Sequence, residues 1–311
     1  MQWDNDRVQA FTRALKALAG GDTESAAEIV QGLLRRWPED PSTCQLMAAV
    51  ALRKMDPAAA ERWALASLTA RPDHCATLIL AAQAARAMGN LSAALLRFQR
   101  AAELDPRRPE AAFGAGAVLI QRDPPEAGAV LDDLLRRFAD HGAEFAEIGS
   151  LLEQGGQREL AVRAYANATR VHPSATLYLR LGSVLQSLGH RDQAVTSYQS
   201  ALQLDPASFE AWFKLGLALQ DGRRPDRAAV AYRRALSLRP DLAEAEVNLG
   251  VALQDLGDLA AAKQAYGRAL ELMPAAFGRI AQALTTAPKG ELWMDLGTLH
   301  AHLSELGRLS R

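Results

Sequence analysis

The sequence predicts an all-α chain, a solenoid of antiparallel helix pairs with about eight repeats followed by C-terminal capping helices. Three observations carry this. The 311 residues are rich in Ala, Leu, Arg, Glu and Gln, all good helix formers. Runs of Val, Ile and Thr of the kind strands use are scarce. And one passage recurs every 34 residues: "LRLGSVLQSLGHRDQAVTSYQSALQLDP" at 179–206, "FKLGLALQDGRRPDRAAVAYRRALSLRP" at 213–240, "VNLGVALQDLGDLAAAKQAYGRALELMP" at 247–274. A fixed period of that length signals a repeat architecture.

Each unit is numbered so that the Gly of "LG" is position 8. The three units then start at Ala175, Phe209 and Ala243. They share Gly182, Gly216 and Gly250 at position 8, and Ala194, Ala228 and Ala262 at position 20. Position 24 holds Tyr198, Tyr232 and Tyr266, position 27 Ala201, Ala235 and Ala269, and position 32 Pro206, Pro240 and Pro274. Positions 4, 7, 8 and 11 share one helical face, and positions 20, 24 and 27 share a face of a second helix. Small residues at 8 and 20 let two backbones approach, and the aromatic at 24 fills the space beyond. Turn residues near 14–17 separate the helices, and Pro at 32 prevents the second from continuing. One pair cannot bury its apolar face alone, so neighbouring pairs must stack.

The frame extends towards the N-terminus through units starting at Arg7, Pro41, Cys75, Pro109 and Gly142, so the solenoid covers 1–274. The earliest units keep the spacing but put Ala at position 8 and Val30 or Ala64 at 24. The unit at Pro109 fits in its second half only after a one-residue deletion, and it lacks the closing Pro. It and the unit at Gly142 have 33 residues. The irregularity implies either a change of pitch near residues 122–142 or a shortened loop with ordinary stacking. In segment 275–311, "FGRIAQALTTAP" begins another first helix, but bulky Leu284 at position 8 leaves no room for a close second helix. A linker with Leu292, Trp293 and Met294 leads to Asp295, placed to cap a last helix with Leu296, Leu299, Leu303 and Leu306 on one face. That helix is expected to fold back over the last repeat.

The repeated "LG…A…Y…A…P" skeleton strongly resembles the tetratricopeptide repeat family, whose unit also has 34 residues. The resemblance implies a right-handed superhelix in which the first helix of each pair lines a concave groove. It further implies that ligands meet first-helix positions 2, 5, 6, 9, 12 and 13. Those positions in the C-terminal units hold Gln186, Gln220 and Gln254 at 12, and Asp221 and Asp255 at 13. Leu179, Phe213 and Val247 stand at 5, and Arg180, Lys214 and Asn248 at 6. A Gln ladder can hydrogen-bond an extended peptide, since each amide both donates and accepts. Apolar residues at 5 could take its side chains, and the aspartates would favour a ligand carrying Lys or Arg. The N-terminal units present a more apolar set, including Ile79 and Phe113 with Gln83 and Arg86 among them. No unit carries the Lys and Asn pair of the carboxylate-clamp class. Only Asn248 matches the Asn ladder of the O-linked N-acetylglucosamine transferases.

Little in the sequence points to catalysis. "GAGAV" (114–118) lies inside a first helix with no strand before it, unlike a dinucleotide turn. His300 and His302 are two apart on a helix and face different sides. Cys44 and Cys75 lack metal-ligand spacing and are too few for a disulfide framework. Lys and Arg number 35 against 36 Asp and Glu, which gives no basic excess for a nucleic-acid partner. No apolar stretch is long enough to span a membrane, and the polar N-terminus does not read as a signal peptide. The expectation is a cytoplasmic, non-enzymatic scaffold without cofactors that binds an extended peptide or partner protein in its groove. The alternatives are a substrate-recruiting arm or subunit of a glycosyl-, sulfo- or methyltransferase, and a self-assembling scaffold, a homo-oligomer formed through an end repeat or the C-terminal helix.

Overall fold

A computed structural model of the protein describes residues 2–286 and 296–309. The linker residues Leu292, Trp293 and Met294 and the expected cap Asp295 lie outside the described residues. The described residues are α-helical with short 3-10 turns and no strand, and none of their helices is long and apolar enough to cross a membrane.

The chain divides into two compact units, Met1–Leu160 and Ala161–Arg311. The first contains α1 (Gln2–Ala19), α2 (Thr23–Arg36), α3 (Pro41–Arg53), α4 (Pro57–Ala70), α5 (Cys75–Ala87) and α6 (Leu91–Leu104). It continues with α7 (Pro109–Arg122), α8 (Ala127–Phe138) and α9 (Gly142–Gln154). The division falls inside α10 (Arg158–Val171), outside residues 122–142. The second unit holds α11 (Ala175–Ser187), α12 (Arg191–Leu204), α13 (Phe209–Asp221), α14 (Pro225–Leu238), α15 (Ala243–Leu256) and α16 (Leu259–Leu272). It ends with α17 (Phe277–Thr286) and α18 (Leu296–Leu309). Each of α3, α5 and α7 in the first unit, and of α13 and α15 in the second, is a first helix that packs on its own second helix and on the second helix before it. Successive first helices also touch, as α3, α5 and α7 do in one unit and α11, α13, α15 and α17 in the other. Each unit therefore has a face made of first helices.

Local chemistry sets the helix ends. Asp22, Asp40, Asp56, Asn90, Ser174, Ser208 and Asp258 each accept a hydrogen bond from the backbone N–H three residues on. Pro41, Pro57, Pro109 and Pro225 occupy the first helical turn, where no N–H is missed. Position 15 closes the turn between paired helices in the left-handed region. It is Gly21, Gly89, Gly156, Gly189 and Gly257 in five units, and Met55 and Arg223 in two. The unit at Pro109 is the exception. Asp123 there keeps a negative φ of −135°, outside the left-handed region, and Pro124–Glu126 form a 3-10 turn. The second helix that follows, α8, has 12 residues where the others have 14. This turn is the structural form of the one-residue deletion.

The core follows the repeat. Position 20 is an alanine with no exposure in all eight sequence units, from Ala26 to Ala262. Opposite it, the position-24 ring lies flat on the position-8 glycine. A Cβ on Gly182, Gly216 or Gly250 would come within 2.6 Å of the Tyr198, Tyr232 or Tyr266 ring. Phe98 differs because its own position 8 is Ala82. Its ring presses on the next first helix, where a Cβ on Gly114 would lie 2.3 Å from it. The second glycine of "GAGAV", Gly116, faces Leu134. That motif is a pair of packing contacts.

At the C-terminal end, α17 lies beside α15 as a further first helix, with Ile280 and Leu284 fully buried. Helix α18 packs chiefly on α16, the second helix of the last repeat. The two cross at glycines: a Cβ on Gly307 would lie 2.6 Å from the Gly267 carbonyl oxygen. Leu299 and Leu303 are fully buried, whereas Leu296, expected on the same stripe, is 54 % exposed because it precedes the crossing.

Gly216→Ala should destabilise the protein by about 1–3 kcal/mol, because the added carbon would lie 2.5 Å from the fully buried Tyr232 ring. Gly116→Ala should cost less, since its nearest neighbour is a Leu134 methyl at 2.9 Å. Denaturant unfolding of both variants beside the wild type checks the order.

Candidate functional site

The three glutamines of the expected ladder lie on successive first helices, but their carbonyls face inward. Tyr198, Tyr232 and Tyr266 each donate a hydrogen bond to the Gln Oε1 of their own unit, at 3.0 Å to Gln186, 2.8 Å to Gln220 and 2.9 Å to Gln254. The Gln186 Nε2 donates to Asp221 of the next first helix at 2.9 Å. The Gln254 Nε2 donates to the Ala283 carbonyl of α17 at 2.9 Å. Gln254 is 1 % exposed and spent at both ends, so a ligand cannot read it. The reason is geometric: the phenol of a ring packed flat on position 8 reaches one turn along to position 12. In the repeat frame Tyr and Gln stand twelve positions apart, on different helices. Their co-occurrence at positions 24 and 12 of the same three units was the available signal.

The other expected contacts separate into interior and surface. Val247, Ile79 and Phe113 are only 5–7 % exposed, so most of each side chain serves the core. Ile79 belongs to the cluster around Phe98, and Phe113 stacks edge-on with Phe145 at 5.0 Å. Position 5 lies at the seam between adjacent first helices, where a bulky side chain sinks beneath its neighbour. Leu179 and Phe213 stay half-buried. Arg180 is exposed, Lys214 lies 3.9 Å from Glu210, and Asn248 is half-buried. Asp221 and Asp255 are exposed at the C-terminal ends of α13 and α15. In the first unit, exposed Gln83 borders a cavity of about 130 Å³ beside an Arg86–Glu147 ion pair of 2.6 Å.

The structure assembles one opening on the first-helix face of the second unit. A cavity of about 350 Å³ lies between α13, α15 and α17. Phe213, Leu217, Val247, Val251 and Ala283 line it with apolar surface, and Asn248, Glu244 and Arg279 supply its polar groups. Among the described residues, these three polar side chains have no hydrogen-bonding or ionic partner. Leu217 and Val251 occupy position 9, one turn beyond the position-5 residues. Arg279 was invisible to the repeat frame because α17 follows the last complete unit. A larger opening of about 690 Å³ lies in the first unit, between the second helices α6 and α8 above α7. Its charged residues are already paired, Glu103 with Arg100 and Asp133 with Arg137.

Burial raises the hydroxyl pKa of Tyr198, Tyr232 and Tyr266 above the ordinary 10.0. The Asp221 charge adds to this for Tyr198 and Tyr232, and the Asp255 charge for Tyr266. Tyr266→Phe should cost about 1–3 kcal/mol, because it strands the buried Gln254 carbonyl. Tyr198→Phe should cost less, since half-buried Gln186 can turn to water; thermal unfolding compares the two. The raised pKa values also set a pH dependence. The folded phenols hold their protons longer than unfolded ones, so their contribution is complete below pH 10 and is lost as pH rises beyond it. A Tyr198/Tyr232/Tyr266→Phe variant should lose stability less steeply than wild type in this alkaline range, measured by denaturant midpoints against pH.

No curated protein matches the chain at a significant level. Among solved structures, one from Pseudomonas aeruginosa, reported as a functional characterisation of pilF, aligns with a TM-score of 0.52 at 20% identity, over 68% of this chain and 97% of its own. The MamA protein aligns with a TM-score of 0.46 at 18% identity, over 65% and 93%. YrrB, described as a TPR protein with an unusual peptide-binding site, aligns with a TM-score of 0.45 at 20% identity, over 68% and 92%. At 20% identity the likeness to the pilF structure speaks for the fold alone. The family model described as tetratricopeptide repeat matches residues 79–142, 179–243 and 214–277, together just over half of the sequence. The chain belongs to the tetratricopeptide repeat family.

Proposed function

We propose that the protein is a non-enzymatic interaction module that takes an extended segment of a partner protein across the first-helix face of residues 175–286. The observation that carries this reading is the cavity between α13, α15 and α17. Its apolar walls match a single large side chain, and its unspent amide and charges match a peptide backbone. Asn248 can donate to a carbonyl and accept from an N–H of the same segment. The glutamines take a supporting part: they hold the tyrosines, and through Asp221 and Ala283 two of them tie α11 to α13 and α15 to α17. A Gln→Ala variant would thus perturb the scaffold together with any binding.

Leu217→Trp fills the cavity from one wall and leaves the Tyr–Gln links in place. Val230→Trp alters an exposed position of α14, 61 % accessible, away from that face. Affinity capture from native lysate with both variants should show a partner bound by wild type and Val230→Trp, and reduced at least about tenfold by Leu217→Trp, equivalent to about 1.4 kcal/mol. Equal retention by Leu217→Trp would place the interaction elsewhere on the molecule.

A further inference from the structure

Building on the groove reading, we infer that α17 is part of the binding site as well as the end of the stack, and that its Arg279 selects a partner segment in which a large apolar side chain has an Asp or Glu within two residues. The first-helix face of the second unit carries a row of position-6 side chains, Arg180, Lys214 and Asn248, one per helix. The cavity brings Asn248 of that row together with Arg279, which stands at position 3 of its own helix, α17. Its guanidinium is exposed and has no partner among the described residues. A guanidinium presents a planar fork of donors that matches a carboxylate in a bidentate pair. The apolar walls fix where the neighbouring side chain goes, so the two requirements fall on adjacent parts of one segment.

The acidic groups nearby do not reverse this. Asp221 and Asp255 were expected to favour a basic ligand, but they lie seven residues beyond position 6, about 10 Å along their helices. Asp221 already takes the Gln186 amide. Glu244 is the one carboxylate at the cavity. It sits in the first turn of α15, where the unpaired N–H groups of the helix end already favour a negative charge. It remains able to accept a backbone N–H from the bound segment. Arg279 stands in the first turn of α17, where the same field disfavours a cation, so it gains most from an incoming anion.

A displayed library of random nine-residue peptides, selected on the full chain, tests the inference. Wild type should enrich sequences with Leu, Phe, Met or Trp beside Asp or Glu. R279A should bind those peptides about tenfold more weakly, and R279E should enrich Lys or Arg beside the apolar residue instead. Circular dichroism confirms that each variant is folded. Selection of the same acidic motif by R279E, or a basic motif by wild type, would overturn the role of Arg279 while leaving the groove reading intact, provided Leu217→Trp abolishes enrichment. Enrichment that survives Leu217→Trp, or none with wild type, would overturn both readings.

Discussion

An aromatic ring pressed flat against a helix backbone is the contact on which the repeat depends. At Gly182, Gly216 and Gly250 there is no room for even one more carbon between the helix and the tyrosine ring. That fixes three things at once: the separation of paired helices, the rotation of the second helix about its axis, and the place where the phenol emerges. The fully buried alanine at position 20 holds the other end of the same crossing. With helix separation set by residues this small, one pair buries little apolar surface by itself. Stacking supplies the remainder, and stability is a sum over neighbours.

The emerging phenol links the core to the surface. Each tyrosine hydroxyl reaches a glutamine carbonyl, and that glutamine's amide can reach the next first helix, as at Asp221 and Ala283. The face that would receive a ligand is therefore braced by hydrogen bonds from beneath. Its rigidity comes from side chains that a surface survey would count as solvent-facing. Holding the walls of the cavity in place before a segment arrives reduces what must be ordered on binding.

The period, the small residues and the aromatic position made the fold legible, because each answers to packing within one unit. What escaped depends on relations between units. Val247, Ile79 and Phe113 look like exposed anchors on a single helix, yet a neighbouring helix covers them. Gln254 looks like a free amide until Tyr266 and Ala283 are placed beside it. Arg279 falls outside the repeated frame, and only the packing of α17 on α15 brings it to the cavity. The unit at Pro109 was legible as an irregularity. Its form, a negative-φ Asp123 ahead of a 3-10 turn, accompanies two consecutive prolines.

The crossing of α16 and α18 at Gly267 and Gly307 bears on how such an array can grow. Elsewhere in the second unit, the outer side of a second helix receives the first helix of the following repeat, as α14 receives α15. On α16 that role has passed chiefly to α18, at backbone distance. A duplicated repeat inserted after residue 274 would have to compete with α18 for that side and would separate α17 from α15. Lengthening by duplication is accommodated upstream of α15, where every new pair meets a neighbour of its own kind. The glycine crossing thus acts as a terminator written into the last repeat.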